Sequence, residues 1–204
     1  MDDIVLQAMM KWPDVPACFG WLRLDARGQW RMRDERAQQL DLPGDKIAHP
    51  ALLGFINRNY ASDEQGRWYF QNGPQRVYVD LELLPYIVRT DPAIGLLLHT
   101  GQAMATPTQA WLTTDGQLLL QTRDSIAAVD DRDGDAVLAS LYCHGMAVNE
   151  QQLLNWLDGS GEERFHWHFG TTELVVQRID RGELPQHFHF VMQPRALRLH
   201  SDAH

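Results

Sequence analysis

The strongest constraint on this fold is that the second half of the chain repeats, in order, the apolar elements of the first. Trp21-Leu22-x-x-Asp25 returns as Trp111-Leu112-x-x-Asp115, and each copy runs through a glycine, Gly28 or Gly116, into a further apolar strand. Pro50-Ala51-Leu52-Leu53-Gly54-Phe55-Ile56-Asn57 is answered by Gln151-Gln152-Leu153-Leu154-Asn155-Trp156-Leu157-Asp158. Arg67-Trp68-Tyr69-Phe70 matches Arg164-Phe165-His166-Trp167, and Leu84-Pro85 matches Leu184-Pro185. The offsets are 90, 101, 97 and 100 residues, so the elements keep one period in one order. The competing reading is a single α+β domain whose strands merely resemble one another.

Local patterning assigns the repeated pieces. Alternation around Ala26-Arg27-Gly28 predicts a hairpin in which Trp30 and Met32 face in while Arg31 and Arg33 face out. Pro50 opens a predicted helix over 51–59, with Leu52, Phe55 and Ile56 at helical spacing. Asn72-Gly73 predicts a second hairpin, its loop lengthened by Pro74 and Gln75. A helix from Ile4 stops before Pro13, and Asp135 is expected to cap a helix over 136–142 inside the main insertion.

The predicted fold class is therefore α+β, with two similar modules, each a mainly antiparallel sheet covered by a helix. The expected divisions are an N-terminal helix and lead-in over 1–18, a first module over 19–98, a second over 108–197, and a disordered tail over 198–204. Two modules this small have thin cores, so they are expected to pack through apolar surface and to leave a groove between them.

Charge limits the partners. Asp and Glu number 27 against 18 Lys and Arg, a net charge of −9 that repels a phosphate backbone, so nucleic acid is not expected. No run of about 20 apolar residues is present and the start lacks a basic n-region, so neither a membrane nor a secretory signal is expected. The expected setting is cytoplasmic, as a monomer or homodimer. Cys18 and Cys143 are the two cysteines and are expected to be free thiols.

Two constellations carry chemistry. His166-Trp167-His168 and His187-Phe188-His189 each place two imidazoles on one face if both segments are strands. His166, His168, His187 and His189 would then suit a transition metal, provided that no strand separates them. The plainer reading is an exposed polar sheet face. The second constellation is the aromatic hairpin, where Tyr69, Gln71, Asn72, Arg76 and Tyr78 could line a ligand-facing lip; a purely structural hairpin needs the same residues. Asp130-Asp131-Arg132-Asp133-Gly134-Asp135 lacks the glycine and glutamate positions of a calcium loop and reads as a solvated turn. Adjacent Cys143 and His144 point apart, and nucleophile-elbow, phosphate-loop and dinucleotide motifs are missing from the sequence.

At Lys11-Trp12-Pro13-Asp14-Val15-Pro16-Ala17-Cys18-Phe19-Gly20-Trp21-Leu22, and again from Phe70 to Glu82, the sequence resembles a family of proteobacterial proteins known only as a domain of unknown function. That resemblance implies no activity and no catalytic residue. Gly66-Arg67-Trp68-Tyr69-Phe70-Gln71-x-Gly73-Pro74 is similar to a second uncharacterised bacterial family of repeated α+β motifs, for which a signalling role has been suggested. The functional expectation is a non-enzymatic regulatory module that binds an unknown small molecule or protein, without a cofactor, in the groove between modules or on an exposed sheet face. The alternative is a metal-binding protein or metal-dependent enzyme using the histidines.

Overall fold

A pair of parallel strands stands at the centre of each half of the protein. The computed structural model describes residues 1–161 and 163–196. The chain divides into two units: Met1–Asp25, Trp30–Glu82 and the segment from Phe190 form the first, and Ala26–Gln29 with Leu83–His189 form the second.

The first unit contains α1 (Asp3–Lys11), β1 (Cys18–Leu24), β2 (Trp30–Met32), α2 (Glu35–Gln39), β3 (Asp45–Lys46), α3 (Pro50–Arg58), β4 (Tyr60–Ser62), β5 (Trp68–Asn72) and β6 (Gln75–Leu81). Its sheet runs β3-β2-β1-β6-β5-β4. β1 and β6 are parallel, and the other neighbours are antiparallel. A parallel return needs a crossover, and α3 sits within it. This helix covers one sheet face: Phe55 meets Phe70 edge-on at 5.4 Å, and Asn57 accepts a hydrogen bond from Trp30 Nε1 at 2.7 Å. The β5–β6 loop is tighter than its sequence suggests. Asn72 pairs with Gln75 across Gly73-Pro74, because Gly73 takes a φ of +57° and Pro74 presets its own.

The second unit contains β7 (Tyr86–Asp91), β8 (Gly95–Leu98), β9 (Gln109–Thr113), β10 (Leu118–Gln121), β11 (Ile126–Val129), α4 (Gly134–Ala139), β12 (Leu141–Cys143), β13 (Met146–Ala147), α5 (Glu150–Asp158), β14 (His166–Phe169), β15 (Thr172–Ile179) and α6 (Leu184–His187). Its sheet runs β13-β12-β14-β15-β9-β10-β11-β7-β8. The middle order β10-β9-β15-β14 matches β2-β1-β6-β5, with β15 returning parallel beside β9 as β6 does beside β1. In each case a hairpin, a helical crossover and a second hairpin follow in sequence. The fold is α+β, with two mainly antiparallel sheets, each covered by a helix.

Leu153, Trp156 and Leu157 of α5 are spaced to share one helix face and pack on the second unit's core, where Trp156 stacks on Phe165 at 5.4 Å. Asn149 and Gln152 close a capping box at the start of α5, and Gly159 ends it with a φ of +82°.

Four segments depart from the sequence reading. Tyr86–Asp91 pairs parallel with β11 and so belongs to the second unit, whereas the chain from Phe190 belongs to the first. The insertion helix is shorter than expected. Asp135 lies in the first turn of α4 instead of capping it, and Leu141–Cys143 is a strand whose Tyr142 pairs with His166. Leu141 and Cys143 are buried, so alternation wins over helical continuation. His187–His189 is not a strand: Asp180 and Glu183 form a capping box, Pro185 sits in the first turn of α6, and the helix ends at His187. The tail expected over 198–204 lies outside the described residues. Among the described residues no helix is long and apolar enough to cross a membrane.

Candidate functional site

Along β6 the side chains alternate, so Val77, Val79 and Leu81 lie under α3 while Arg76, Tyr78 and Asp80 take the opposite face. Asp80 is an acid flanked by two core residues near the end of β6, and its side chain is only 3% exposed. Burying a carboxylate this completely requires partners. Arg33 Nη1 donates to Asp80 Oδ2 at 2.8 Å, and Arg195 Nη1 donates to Oδ1 at 2.8 Å.

Arg33 corrects the alternation expected after Trp30. Met32 is the exposed residue, at 46%, and the Arg33 side chain is 3% exposed. β2 ends at Met32, and the backbone N–H of Arg33 donates to Trp21 O. Its guanidinium also donates to Leu42 O at 3.0 Å, to Ala37 O at 3.1 Å and to Asp41 Oδ1 at 2.8 Å. These acceptors compensate its burial.

The remaining walls come from three local devices. The β1–β6 register shifts between Cys18 and Leu22, and Gly20 occupies this bulge with a φ of +79°. A Cβ there would lie 2.7 Å from Gln38 Oε1, so a side chain at position 20 would displace the end of the Gln38 side chain. Asp34 caps α2 by accepting from Ala37 N at 2.7 Å, and Gln38 Nε2 donates to Arg33 O at 3.1 Å. The C-terminal segment is held by backbone bonds, Val191 N to Gly66 O and Leu81 N to Met192 O, which bring Gln193 and Arg195 to Asp80. Together Phe19, Gly20, Arg33, Gln38, Asp41, Asp80, Gln193 and Arg195 line a pocket of about 340 Å³. Among the described residues its lining carries two guanidiniums and two carboxylates, with no net charge.

Four of the five hairpin residues singled out in the sequence share the face that carries Asp80. Tyr69 lies opposite Tyr78 and Gln71 opposite Arg76, whereas Asn72 is exposed at the turn. Arg76 lies over the Tyr69 ring at 4.6 Å and Arg67 over the Tyr78 ring at 4.8 Å. Gln71 is 1% exposed and braces the turn, its Nε2 donating to Gly73 O at 2.9 Å. These residues form an aromatic and guanidinium ladder beside the pocket and do not line it. Phe19 links the two, stacking on Tyr78 at 4.7 Å while it forms pocket wall. At the far end of the ladder, burial pushes the Asp63 carboxyl up, but hydrogen bonds from the Arg67 side chain and backbone and from the Tyr78 hydroxyl outweigh it and hold the group below its usual range.

The four histidines are distributed over different elements. His166 and His168 share one face of β14, and Glu173 lies between them, its Oε1 2.8 Å from His166 Nδ1 and 3.4 Å from His168 Nε2. The Tyr142 ring stacks on His168 at 4.5 Å. His187, on α6, packs against Trp111 of β9 at 4.6 Å, and β15 lies between β9 and β14. His189 follows α6 with a φ of +54°. Among the described residues no three His, Cys, Asp or Glu side chains form a metal-holding group.

The aspartate-rich run serves the second unit internally. A pocket of about 280 Å³ there is lined in part by Asp115, Asp130 and Asp131, and each of these acids is paired: with Arg181 at 3.0 Å, with Arg132, and with Arg27 at 2.9 Å, respectively. Cys143 is buried, which pushes its thiol pKa up, and both cysteines are free.

The pocket's charged residues were not among the sequence candidates. An acid between valine and leucine within a strand is a legible signal for Asp80, since such a residue must find a cation. Arg33 and Arg195 carry no comparable mark.

The DUF2944 family model, described as "Protein of unknown function (DUF2946)", matches residues 1–195. The crystal structure of a DUF1285 family protein from Silicibacter pomeroyi DSS-3 is similar at 12% identity and a TM-score of 0.49, over 90% of this chain and 98% of that one. No curated protein matches the chain.

Proposed function

The chain belongs to the DUF2944 family, described as a protein of unknown function, and from that premise we propose that it is a non-enzymatic binding module whose ligand is a small, polar, uncharged or internally neutral molecule held in the pocket over Asp80. The observation that carries this reading is the buried pair of Arg33 and Asp80 in the pocket lining, each side chain 3% exposed. A buried ion pair seldom stabilises a fold more than apolar residues of the same volume. Its position in a pocket gives it a recognition role: it presents fixed donors and acceptors in a partly desolvated setting, where each hydrogen bond discriminates strongly.

Binding is favoured over catalysis by the composition of the lining. Among the described residues it contains no Ser, Cys, His or Lys, and Asp80 holds two guanidiniums, so these residues offer neither a nucleophile with its base nor a free general acid at Asp80. A regulatory role fits a protein that binds a ligand without transforming it.

The test is a ligand-detected NMR screen of polar metabolites on the full chain, repeated with Gln193→Trp, which fills the pocket mouth from the exposed C-terminal segment. Hits that vanish in the variant are expected. Hits that persist unchanged would place binding elsewhere and end this reading.

A further inference from the structure

The hydrogen-bonding pattern around Asp80 narrows the ligand class, and we infer that the pocket takes a cyclic polyhydroxylated molecule, such as a monosaccharide or cyclitol, through two neighbouring hydroxyls. This rests on the pocket being the binding site. Asp80 is an acceptor only, and each of its oxygens already receives one guanidinium N–H, from Arg195 on Oδ1 and Arg33 on Oδ2. Each oxygen keeps a second lone-pair direction. Beside Oδ1 stands Arg195, a donor only, whose side chain is half exposed and reaches Gln193 Oε1 and Pro194 O with its other contacts.

A hydroxyl is both donor and acceptor. Two hydroxyls on adjacent carbons can therefore give one hydrogen to Asp80 and accept one from Arg195 without breaking the existing pair. Charged alternatives fare worse. An ammonium placed at Asp80 also meets Arg33 and Arg195, which hold that carboxylate at 2.8 Å, and a carboxylate or phosphate placed at Arg195 also meets Asp80, so either charge meets repulsion as well as attraction. The balanced lining selects a neutral ligand.

The apolar contact fits the same class. Phe19 is the aromatic residue of the lining, held by its stack on Tyr78. A sugar or cyclitol ring has an apolar C–H face to lay against it, with hydroxyls at the ring edge. Gly20 and Gln38 complete the wall beside it, where the glycine admits the amide close to the strand.

Isothermal titration and saturation-transfer NMR of the full chain decide the matter, with glucose, ribose and myo-inositol set beside glycine, glutamate and inorganic phosphate. At least one polyol is expected to bind, with affinity reduced tenfold or more in Arg195→Gln and in Phe19→Leu; circular dichroism checks that both variants are folded. If glycine, glutamate or phosphate binds in an Arg195-dependent way while the polyols do not, the polyol class is wrong and the pocket stands. If no probe binds, or if polyol binding is unchanged in both variants, the pocket reading fails as well.

Discussion

Asp80 and Arg33 meet at 2.8 Å with both side chains 3% exposed, so one buried contact joins the centre of the first sheet to the loop that follows β2. Removing the Asp80 charge leaves the buried Arg33 guanidinium with the largely exposed Asp41 as its carboxylate partner, a poorer compensation. Asp80→Asn is expected to destabilise the protein by about 3–5 kcal/mol, measured by urea unfolding. The double variant Arg33→Met, Asp80→Leu should recover most of that loss while abolishing ligand binding, because apolar residues of similar volume replace a buried pair at little or no cost. A double variant as unstable as the single one would show that the pair holds the fold, not only the site.

Gly20 tests the pocket wall. With φ at +79° and Gln38 Oε1 2.7 Å from where a Cβ would stand, Gly20→Ala is expected to cost about 1–2 kcal/mol for the left-handed backbone alone. Adding Gln38→Ala should restore part of the stability by clearing the collision. Identical unfolding curves for Gly20→Ala and the double variant would mean that the amide gives way freely.

Trp156 tests the covering of the second sheet by α5. Its ring stacks on Phe165 within the second unit's core, so Trp156→Ala is expected to cost about 3–5 kcal/mol of stability, read from the urea midpoint and slope. Loss of less than about 1 kcal/mol would show that the helix packs loosely.

Acid should weaken the protein through carboxylates held below their usual range. Asp63 is one: burial opposes the shift, yet the hydrogen bonds from Arg67 and Tyr78 prevail. A depressed folded pKa gives stability that is complete above the unfolded value, about 3.9, and is lost as pH falls through the folded value. Asp115 and Asp130 shift the same way and add to the effect. Asp63→Asn is therefore expected to lose less stability than the parent between pH 6 and pH 3, as compared by urea midpoints at the two values. A greater loss in the variant would reverse the sign of this account.

The histidine face makes a smaller demand. Glu173 is more than half exposed beside His166 and His168, so Glu173→Gln should change stability by no more than about 1 kcal/mol. Elemental analysis of the purified protein belongs with this measurement. Stoichiometric metal that disappears in the double variant His166→Ala, His168→Ala would give that face a role that the binding account does not assign it.

The recurrence of Trp21 as Trp111, and of the elements after them, made the succession of hairpin, helix and returning hairpin along the chain readable, but not the order of the strands within each sheet, which long-range pairings such as β1 with β6 decide. The helices α3 and α5 were legible from Phe55 and Ile56, and from Leu153, Trp156 and Leu157, since a buried stripe imposes helical spacing. Arg33 was not legible. An arginine three residues beyond a buried tryptophan looks solvent-facing until a strand end and four acceptors trap it. His187 misled for a related reason: alternation with aromatics imitates a strand, although Asp180, Glu183 and Pro185 together mark a helix start. Arg195 reaches Asp80 from 115 residues away, and no local pattern encodes a contact of that range.

Backbone amide shifts of ¹⁵N-labelled protein, recorded during titration with the best-binding polyol, locate the ligand directly. Perturbations centred on Phe19, Gly20, Gln38, Asp80 and Gln193 are the predicted result. Perturbations centred on His166, His168 and Glu173, with the residues around Asp80 unmoved, would contradict it.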